Sequence, residues 1–505
     1  MNRTFYYTLL YIVTFLSCFA TKSMAGSGTW SSNIAGKISY KSSSATKAKK
    51  DYNGKLFTIV YLENLGFEKL GKNTNAEDVQ WLRDNGFAVI ELDYNKHSKA
   101  VSPYLNSDII SINAALNSGS FCGISNISPK RAYILCEGYR IKTDVGYYKD
   151  DPTVYNYPDH YKTTQGDSLY MDIIYPANAD KTVPTLLSFS YSNSWGHKSS
   201  SSAIGENAHM RMYLPYTLAG STFYDSILEG APARGIAWAI ADNPKYCEWG
   251  QGKRTGGANK EYGSISTNPD AARKVKSAVR TLRVVGNSLG LSGEIGIYGF
   301  SRGSTIGAFA VGDRYVADFE GYGNYPEVSS AIQVAILGPG VFDYTLLADG
   351  FTDKNEYKNG VKVWGELKTH KDVWNLQGAN YLCETNASAP CLFFYNSDDE
   401  KFYGKTADAM KETLDRLGVT TALIKDHNSG HCVPKDETNL NKIYDFLSDH
   451  FGQASGIEEI GLSPKEPTPN PSLKGREIGK TNIQGIKVNS FSKGVIIKNG
   501  KKYLQ

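Results

Sequence analysis

The sequence predicts an α/β protein built on a mostly parallel, doubly wound sheet. Three observations predict it. Short apolar runs of strand length alternate with helical patterns from about residue 168 to residue 451. The strongest helical pattern, "PDAARKVKSAVRTLRVVGNSLG" (269–290), gathers Ala278, Val279, Leu282 and Val285 on one side. It leads into "GEIGIYGFSRGST" (293–305), where a strand turns abruptly into a helix across Gly299, Ser301 and Gly303.

The elements follow in chain order. Residues 1–25 read as a signal peptide: Arg3 is basic, residues 5–20 are apolar, and Ser23 and Ala25 stand before a cleavage point at Gly26. Cys18 in "FLSC" weakly resembles a lipoprotein box. Residues 26–53, rich in Ser, Gly, Lys and Thr, read as an exposed leader. An N-terminal α/β extension is expected over 54–164. Its strands lie at 55–66, 87–94 and 131–138, and its helix at 75–86 is capped by Asn75 and stopped by Gly86. A polar, aromatic, proline-bearing segment at 147–167, a loop or an edge hairpin, closes it. The main domain, 165–451, is expected to carry strands at 168–176, 184–192, 235–242, 295–299, 330–340, 389–399 and 420–431. "TIVYLENLG…DNGFAVIELDY" and "TLLSFSYSNSWG…ARGIAWAIADN" echo each other faintly, which fits a partial duplication and equally fits any two strand–helix–strand units, the reading preferred from sequence. Residues 452–480 are rich in Pro, Gly and charge and read as a disordered linker. Residues 481–505 end in two short strands around a turn.

Composition narrows the function classes. The 55 basic and 51 acidic residues leave a net charge of +4 with no basic block, so nucleic acid is not the expected partner. Beyond the first segment no apolar run is long enough to span a bilayer. The 34 tyrosines suit carbohydrate or aromatic ligands, and equally an unspecialised surface. Without Cys18, six cysteines remain: Cys122, Cys136, Cys247, Cys383, Cys391 and Cys432. The even count permits up to three disulfides without requiring any, in 15 connectivities that sequence cannot separate; Cys383 and Cys391, which bracket "CETNASAPC", are the most plausible local pair. None is spaced as a metal site. The Gly-rich loop 243–263 lacks the order of a phosphate loop, so no metal or cofactor is expected.

The glycine-flanked serine carries the chemistry. A hydroxyl is a weak nucleophile at neutral pH and needs a base, which in turn needs an orienting acid. After Ser301 come Asp398-Asp399, at the end of a strand in "LFFYNSDDEKFY", and then His427 and His431 in "KDHNSGHCVP". Asp399 is the expected acid, with Asp398 as runner-up. His431 is the expected base, in the loop before the last helix, with His427 inside the preceding strand. The N–H of Arg302 would face a developing oxyanion.

With these motifs, residues 165–451 resemble the α/β-hydrolase superfamily, and the run 278–304 is similar to secreted esterases and dienelactone-hydrolase-like enzymes. The resemblance implies an eight-stranded core and a Ser301–His431–Asp399 triad. The His-Gly-Gly loop of many such enzymes is absent; "FSYSNSWG" stands in its place, so the second oxyanion donor would be the N–H of Tyr191 or Ser192. Ser301-Arg302 also resembles the elbow of glucuronoyl esterases. There the guanidinium would assist the oxyanion or hold a substrate carboxylate, whereas a packing role is equally open. Residues 341–388, with Trp364 and Trp374, form a candidate lid or substrate wall. The expected function is an exported serine esterase acting on acyl, acetyl or feruloyl esters of small molecules or polysaccharides. The alternatives are a serine peptidase of the prolyl-oligopeptidase type and a non-catalytic glycan-binding protein on a hydrolase scaffold. "GVIIKNGKKYL" resembles the C-terminal sorting signal of Bacteroidetes proteins that use type IX secretion. That implies contact with secretion machinery and a secreted or cell-surface location, or a periplasmic one if the tail is not a working signal.

Overall fold

The computed structural model describes residues 25–149, 168–189, 227, 231–244, 268–349, 357–452, 495–498 and 501–504, short interruptions aside (46, 52, 66–67, 99, 101–104, 181, 232–233, 359 and 362–363). The chain divides into two compact units: residues 1–140, 176–180 and 208–233 form the first, and 141–175, 181–207 and 234–505 the second. The signal-peptide and linker expectations lie outside the described residues.

In the first unit, strands β1 (Ala25–Ser32), β2 (Gly36–Ser43), β3 (Leu56–Glu63), β4 (Ala88–Asp93) and β7 (Ile127–Cys136) form one sheet in the order β1-β2-β4-β3-β7. A two-residue hairpin, β5 (Ser120–Phe121) and β6 (Ile124–Ser125), precedes β7. β3 is buried along nearly its whole length, as a parallel strand covered on both faces must be. The expected leader is instead the antiparallel hairpin β1–β2. Its few apolar side chains suffice to anchor it: Ile38 is buried, and Trp30 meets Phe121 edge to face at 5.8 Å. Helix α1 (Asn75–Asp84) is capped by Thr74, not Asn75, because the Thr74 hydroxyl and the Glu77 carboxylate form a reciprocal capping box. Helix α2 (Asn106–Ser118) ends at Gly119, whose φ of 85° suits glycine.

The second unit holds β8 (Tyr139–Lys149), β9 (Ser168–Pro176), β10 (Val183–Phe189), β11 (Ala237–Ala241), β12 (Leu291–Gly299), β13 (Val334–Leu337), β14 (Cys391–Tyr395) and β15 (Thr421–Lys425), in the order β8-β9-β11-β10-β12-β13-β14-β15. β10 through β15 run parallel where they pair, and β9 pairs antiparallel with β11. β8 therefore joins the large sheet, although the sequence reading left residues up to 164 in the extension. Helix α3 (Asn268–Asn287) buries Ala278, Val279 and Leu282. Helices α4 (Arg302–Gly307), α5 (Ala317–Glu320), α6 (Lys371–Asn375), α7 (Lys401–Arg416) and α8 (Glu437–His450) complete the unit. Strands β16 (Val495–Lys498) and β17 (Lys501–Leu504) pair antiparallel near the end of the chain, where the sequence reading put a hairpin.

The two sheets share one plan over their first five principal strands. β1-β2-β4-β3-β7 and β8-β9-β11-β10-β12 have the same order, and in both the second strand runs antiparallel to the fourth. Thr58 of β3 pairs with Ala88 and Ala132; Thr185 of β10 pairs with Ala237 and Ile295. Register shifts occur at the same place, between Leu56 and Thr58 and between Val183 and Thr185. Two residues before Ala88 and Ala237 stand Gly86 and Gly235, both left-handed at φ 88° and 74°. Counting on six residues from Ala132 and Ile295 gives Gly138 and Ser301, both at positive φ (80° and 54°). A generic pair of strand–helix–strand units would not share register, shift and backbone outliers. The faint echo in the sequence thus reflects a repeated half-sheet, whose first copy has glycine where the second has serine.

Two further expectations are corrected. Trp364 and Trp374 are not a substrate wall: both are buried, stacked edge to face at 4.8 Å, and joined by Tyr344, Leu347 and Phe402 into a small core of their own. The Trp374 indole N–H is satisfied by the Gly365 carbonyl. Cys383 and Cys391 are not bridged; the five described cysteines are free thiols. Cys391 is buried as the first residue of β14, while Cys383 closes a short 3-10 turn and directs its thiol to the Ala379 carbonyl.

Candidate active site

β12 delivers the chain into a turn at Phe300 and Ser301, and α4 starts at the next residue. Ser301 has φ 54° and ψ −127°, a conformation that costs a non-glycine residue of order 1–3 kcal/mol and persists only where the surroundings impose it. The surroundings do. The N–H groups of Gly303 and Ser304 donate to the Phe300 carbonyl at 2.9 and 3.3 Å, and those of Ser304 and Thr305 to the Ser301 carbonyl at 3.0 and 3.1 Å. A Cβ on Gly299 would sit 2.4 Å from the Cα of Ser304, so only glycine lets strand and helix approach this closely. Behind the turn, the Ser304 hydroxyl donates to the Gly338 carbonyl and the Gly338 N–H to the Gly299 carbonyl, each at 2.9 Å. Arg302 is the first residue of α4, and its side chain is exposed. The N–H groups of a helix's first turn point out of its N-terminus, here toward the serine.

The expected acid and the expected base follow β14 and β15. Asp399 Oδ2 lies 2.7 Å from His431 Nδ1, with the Asp399 side chain 6% exposed and that of His431 34%. The other Asp399 oxygen accepts the Glu400 N–H at 2.7 Å. An Nδ1–H donating to this carboxylate leaves Nε2 to exchange protons. The imidazole packs against Phe300 and Tyr403, with ring centroids at 4.8 and 5.4 Å. Because Phe300 immediately precedes Ser301, His431 stands beside the elbow.

Asp398 does something else. Its Oδ2 accepts the Ser429 hydroxyl at 2.6 Å and its Oδ1 the Gly430 N–H at 2.8 Å; these two bonds hold its carboxyl below the usual carboxylate range. Asn396 adds two bonds to the same loop, its amide donating to the Gly430 carbonyl at 2.9 Å and its oxygen accepting the Asn428 N–H at 3.0 Å. In return Asp426 accepts the Ser397 N–H and hydroxyl at 2.6 and 3.1 Å.

His427 lies in this loop, two residues past the end of β15, rather than in the strand as expected. Its ring meets Phe394, and neither ring nitrogen has a hydrogen-bond partner among the described residues, so burial lowers its pKa below 6.5. Cys432, beside the base, has its thiol raised by burial.

Ser301, Arg302, Asp399 and His431 are thus gathered at the carboxyl ends of β12, β14 and β15. Tyr191 and Ser192, the alternatives for the second oxyanion donor, lie outside the described residues. Among the described residues, no group of three or more His, Cys, Asp or Glu side chains is arranged to hold a metal. The sequence reading missed the contacts of His431 with Phe300 and Tyr403 and the bonds of Asn396 and Asp398. Their only signal was the density of Asn, Ser and Asp in "NSDD" and "DHNSG", residues that bond neighbouring backbone readily.

No family model and no curated protein matches the sequence. Among solved structures, the chain is similar to a thermophilic esterase of the planctomycete Thermogutta terrifontis with butyrate bound (18% identity, TM-score 0.39, 65% of this chain and 97% of that one). It is also similar to a truncated carbohydrate esterase from gut microbiota (16%, TM-score 0.40, 62% and 97%). A third similarity is to a bifunctional GH43-CE protein of Bacteroides eggerthii (18%, TM-score 0.41, 62% and 38%).

Proposed function

We propose that this chain is a serine hydrolase of the α/β-hydrolase type that cleaves carboxylic esters through an acyl-enzyme. The observation that carries the reading is the strained backbone of Ser301 beside a histidine already bonded to a carboxylate. Strain at one residue, imposed by a glycine-dependent turn, is what exposing a nucleophile above a sheet requires. In this reading Ser301 Oγ attacks the ester carbonyl while His431 Nε2 takes its proton. The protonated imidazole, steadied by Asp399, then gives that proton to the departing alcohol. Water repeats the sequence to release the acid.

The oxyanion rests on the Arg302 N–H and a second N–H after β10. In this reading that second donor is the N–H of Tyr191 or Ser192. In this reading the Arg302 guanidinium, exposed at the helix start, assists the oxyanion or holds a substrate carboxylate. Arg302→Lys keeps the N–H and the charge, so a loss confined to acidic esters would assign that contact.

The substrates we propose are acyl, acetyl or feruloyl esters, free or on polysaccharide, met outside the cytoplasm. The apolar segment at 5–20 and the sorting-like end support export, and no helix among the described residues is long and apolar enough to cross a membrane. Screening wild type and Ser301→Ala against p-nitrophenyl esters, acetylated xylan, methyl ferulate and peptide amides tests the chemistry. The variant should lose turnover by on the order of a millionfold. Ester cleavage unchanged in Ser301→Ala would overturn the reading, and cleavage of amides alone would favour the peptidase.

A further inference from the structure

The base stands on a loop with no regular structure of its own, between the end of β15 at Lys425 and the start of α8 at Glu437. Gly430, immediately before His431, has φ 68°, and Asp426, where the loop begins, has φ 54°. A loop of this kind does not fix an imidazole to a fraction of an ångström by its own preferences. What fixes it comes from the preceding strand end. Asn396 holds Asn428 and Gly430, and Asp398 holds Ser429 and Gly430, through four bonds of 2.6 to 3.0 Å. Both peptide groups flanking Gly430 are thereby engaged: its N–H by Asp398 and its carbonyl by Asn396. Asp399, next in sequence, takes the imidazole itself. One short turn therefore sets the position of both the acid and the loop that carries the base.

We infer that Asp398 is a positioning residue: by holding Ser429 and Gly430 it keeps His431 Nδ1 on Asp399 and the ring beside Ser301. The role rests on the proposed triad for its catalytic meaning, but the geometric part stands on its own. Shape, not charge, is what the role demands. Asparagine at this place can keep both bonds, its oxygen accepting the Gly430 N–H and its amide donating to the Ser429 hydroxyl, which rotates to accept. Alanine can keep neither.

The test compares wild type, Asp398→Ala, Asp398→Asn, Ser429→Ala and Ser301→Ala by two readouts. The first is the downfield proton resonance of the His431 Nδ1–H, which reports its bond to Asp399 whether or not the chain is an esterase. The second is kcat and KM on the best p-nitrophenyl ester. The resonance should vanish or broaden in Asp398→Ala and persist in Asp398→Asn. A displaced base costs about 100-fold in rate for a shift of about 1 Å, so kcat of Asp398→Ala should fall roughly 10- to 100-fold. KM should stay within about twofold and Asp398→Asn should restore most of the rate, with Ser429→Ala, which loses one bond of two, intermediate. A resonance retained in Asp398→Ala overturns the inference, and so does one lost equally in both Asp398 variants. Full activity in Ser301→Ala would sink the esterase reading while leaving the resonance arm decisive for Asp398. If Asp398→Ala does not fold, the Ser429→Ala and Asp398→Asn pair decides by the same two readouts.

Discussion

Gly138 and Ser301 hold the same place in two sheets of one plan. Each stands six residues beyond the fifth-strand residue that pairs with a threonine of the third strand, Thr58 or Thr185, and each has a positive φ. At Ser301 the chain turns into α4; at Gly138 it passes straight into β8, with no hydroxyl to attack anything. The first unit is therefore expected to be silent toward electrophiles that seek an activated serine. A fluorophosphonate should label one serine per chain, and peptide mapping should find it at Ser301. Labelling of Ser301→Ala, or of any serine within 25–140, would refute this.

Asp399 and Asp398 differ by one position and by everything they touch. Asp399→Asn presents a donor or a neutral acceptor to His431 Nδ1 and favours the wrong tautomer, a change that has cost about 10⁴-fold in turnover where such an acid was tested. Asp398→Asn keeps its hydrogen bonds and should cost no more than a few-fold. Steady-state kinetics on one ester decides it, and equal losses in the two variants would mean that the acid is misassigned.

Much of this was legible in the sequence for a physical reason. The strands from β9 to β15 are short apolar runs with turn residues between them, and burial on both faces leaves such runs little else to be. Ser301 and Asp399 could be singled out because each follows a strand end closely, and His431 because it stands in the connection between β15 and α8, where order along the chain translates into position. What escaped notice depends on contacts distant in sequence. The hairpin β1–β2 is polar enough to read as a leader, and only Phe121, some ninety residues on, gives Trp30 its partner. The tryptophans of the insert looked like a wall because sequence cannot say that Trp364 and Trp374 pack on each other. The repeat was visible only as an echo, since the two copies share register and backbone shape more than residues.

His427 should make the second unit acid-sensitive. Burial disfavours its charged form, with Asp436 and Asp426 opposing only in part, so its pKa lies below 6.5 in the folded chain. Above 6.5 the ring is neutral in both states and its contribution is fully present. As pH falls from there toward the folded value, the unfolded chain takes up a proton that the folded one does not, and stability is lost. His427→Phe keeps a ring against Phe394 and removes the titration. The difference between variant and wild-type unfolding midpoints should therefore grow as pH drops below about 6.5. A constant difference from pH 8 to pH 5 would show that His427 charges freely in the folded chain.

The Glu63–Glu91 pair should act with the opposite sign in the first unit. β3 and β4 run parallel with Glu63 opposite Asp93 and Tyr61 opposite Glu91, so the three carboxylates share one face of the sheet. Burial, then the Glu91 carboxylate beside it, pushes the Glu63 carboxyl up to about 7, from 4.5 in an open chain. The folded unit thus holds a proton between pH 4.5 and 7 that the unfolded chain has released. Its contribution to stability is fully present below 4.5 and is lost as pH rises through about 7, because ionising Glu63 then sets two like charges together. Glu63→Gln keeps a donor for the Glu91 carboxylate and cannot ionise. It should be close to neutral at pH 5 and stabilising at pH 8, by on the order of 1 kcal/mol once solvent screening of a half-exposed pair is allowed for. Urea midpoints at the two pH values measure it. A variant no more stable than wild type at pH 8 would mean that the pair is relieved by solvent or by Lys41, and that no proton is shared there.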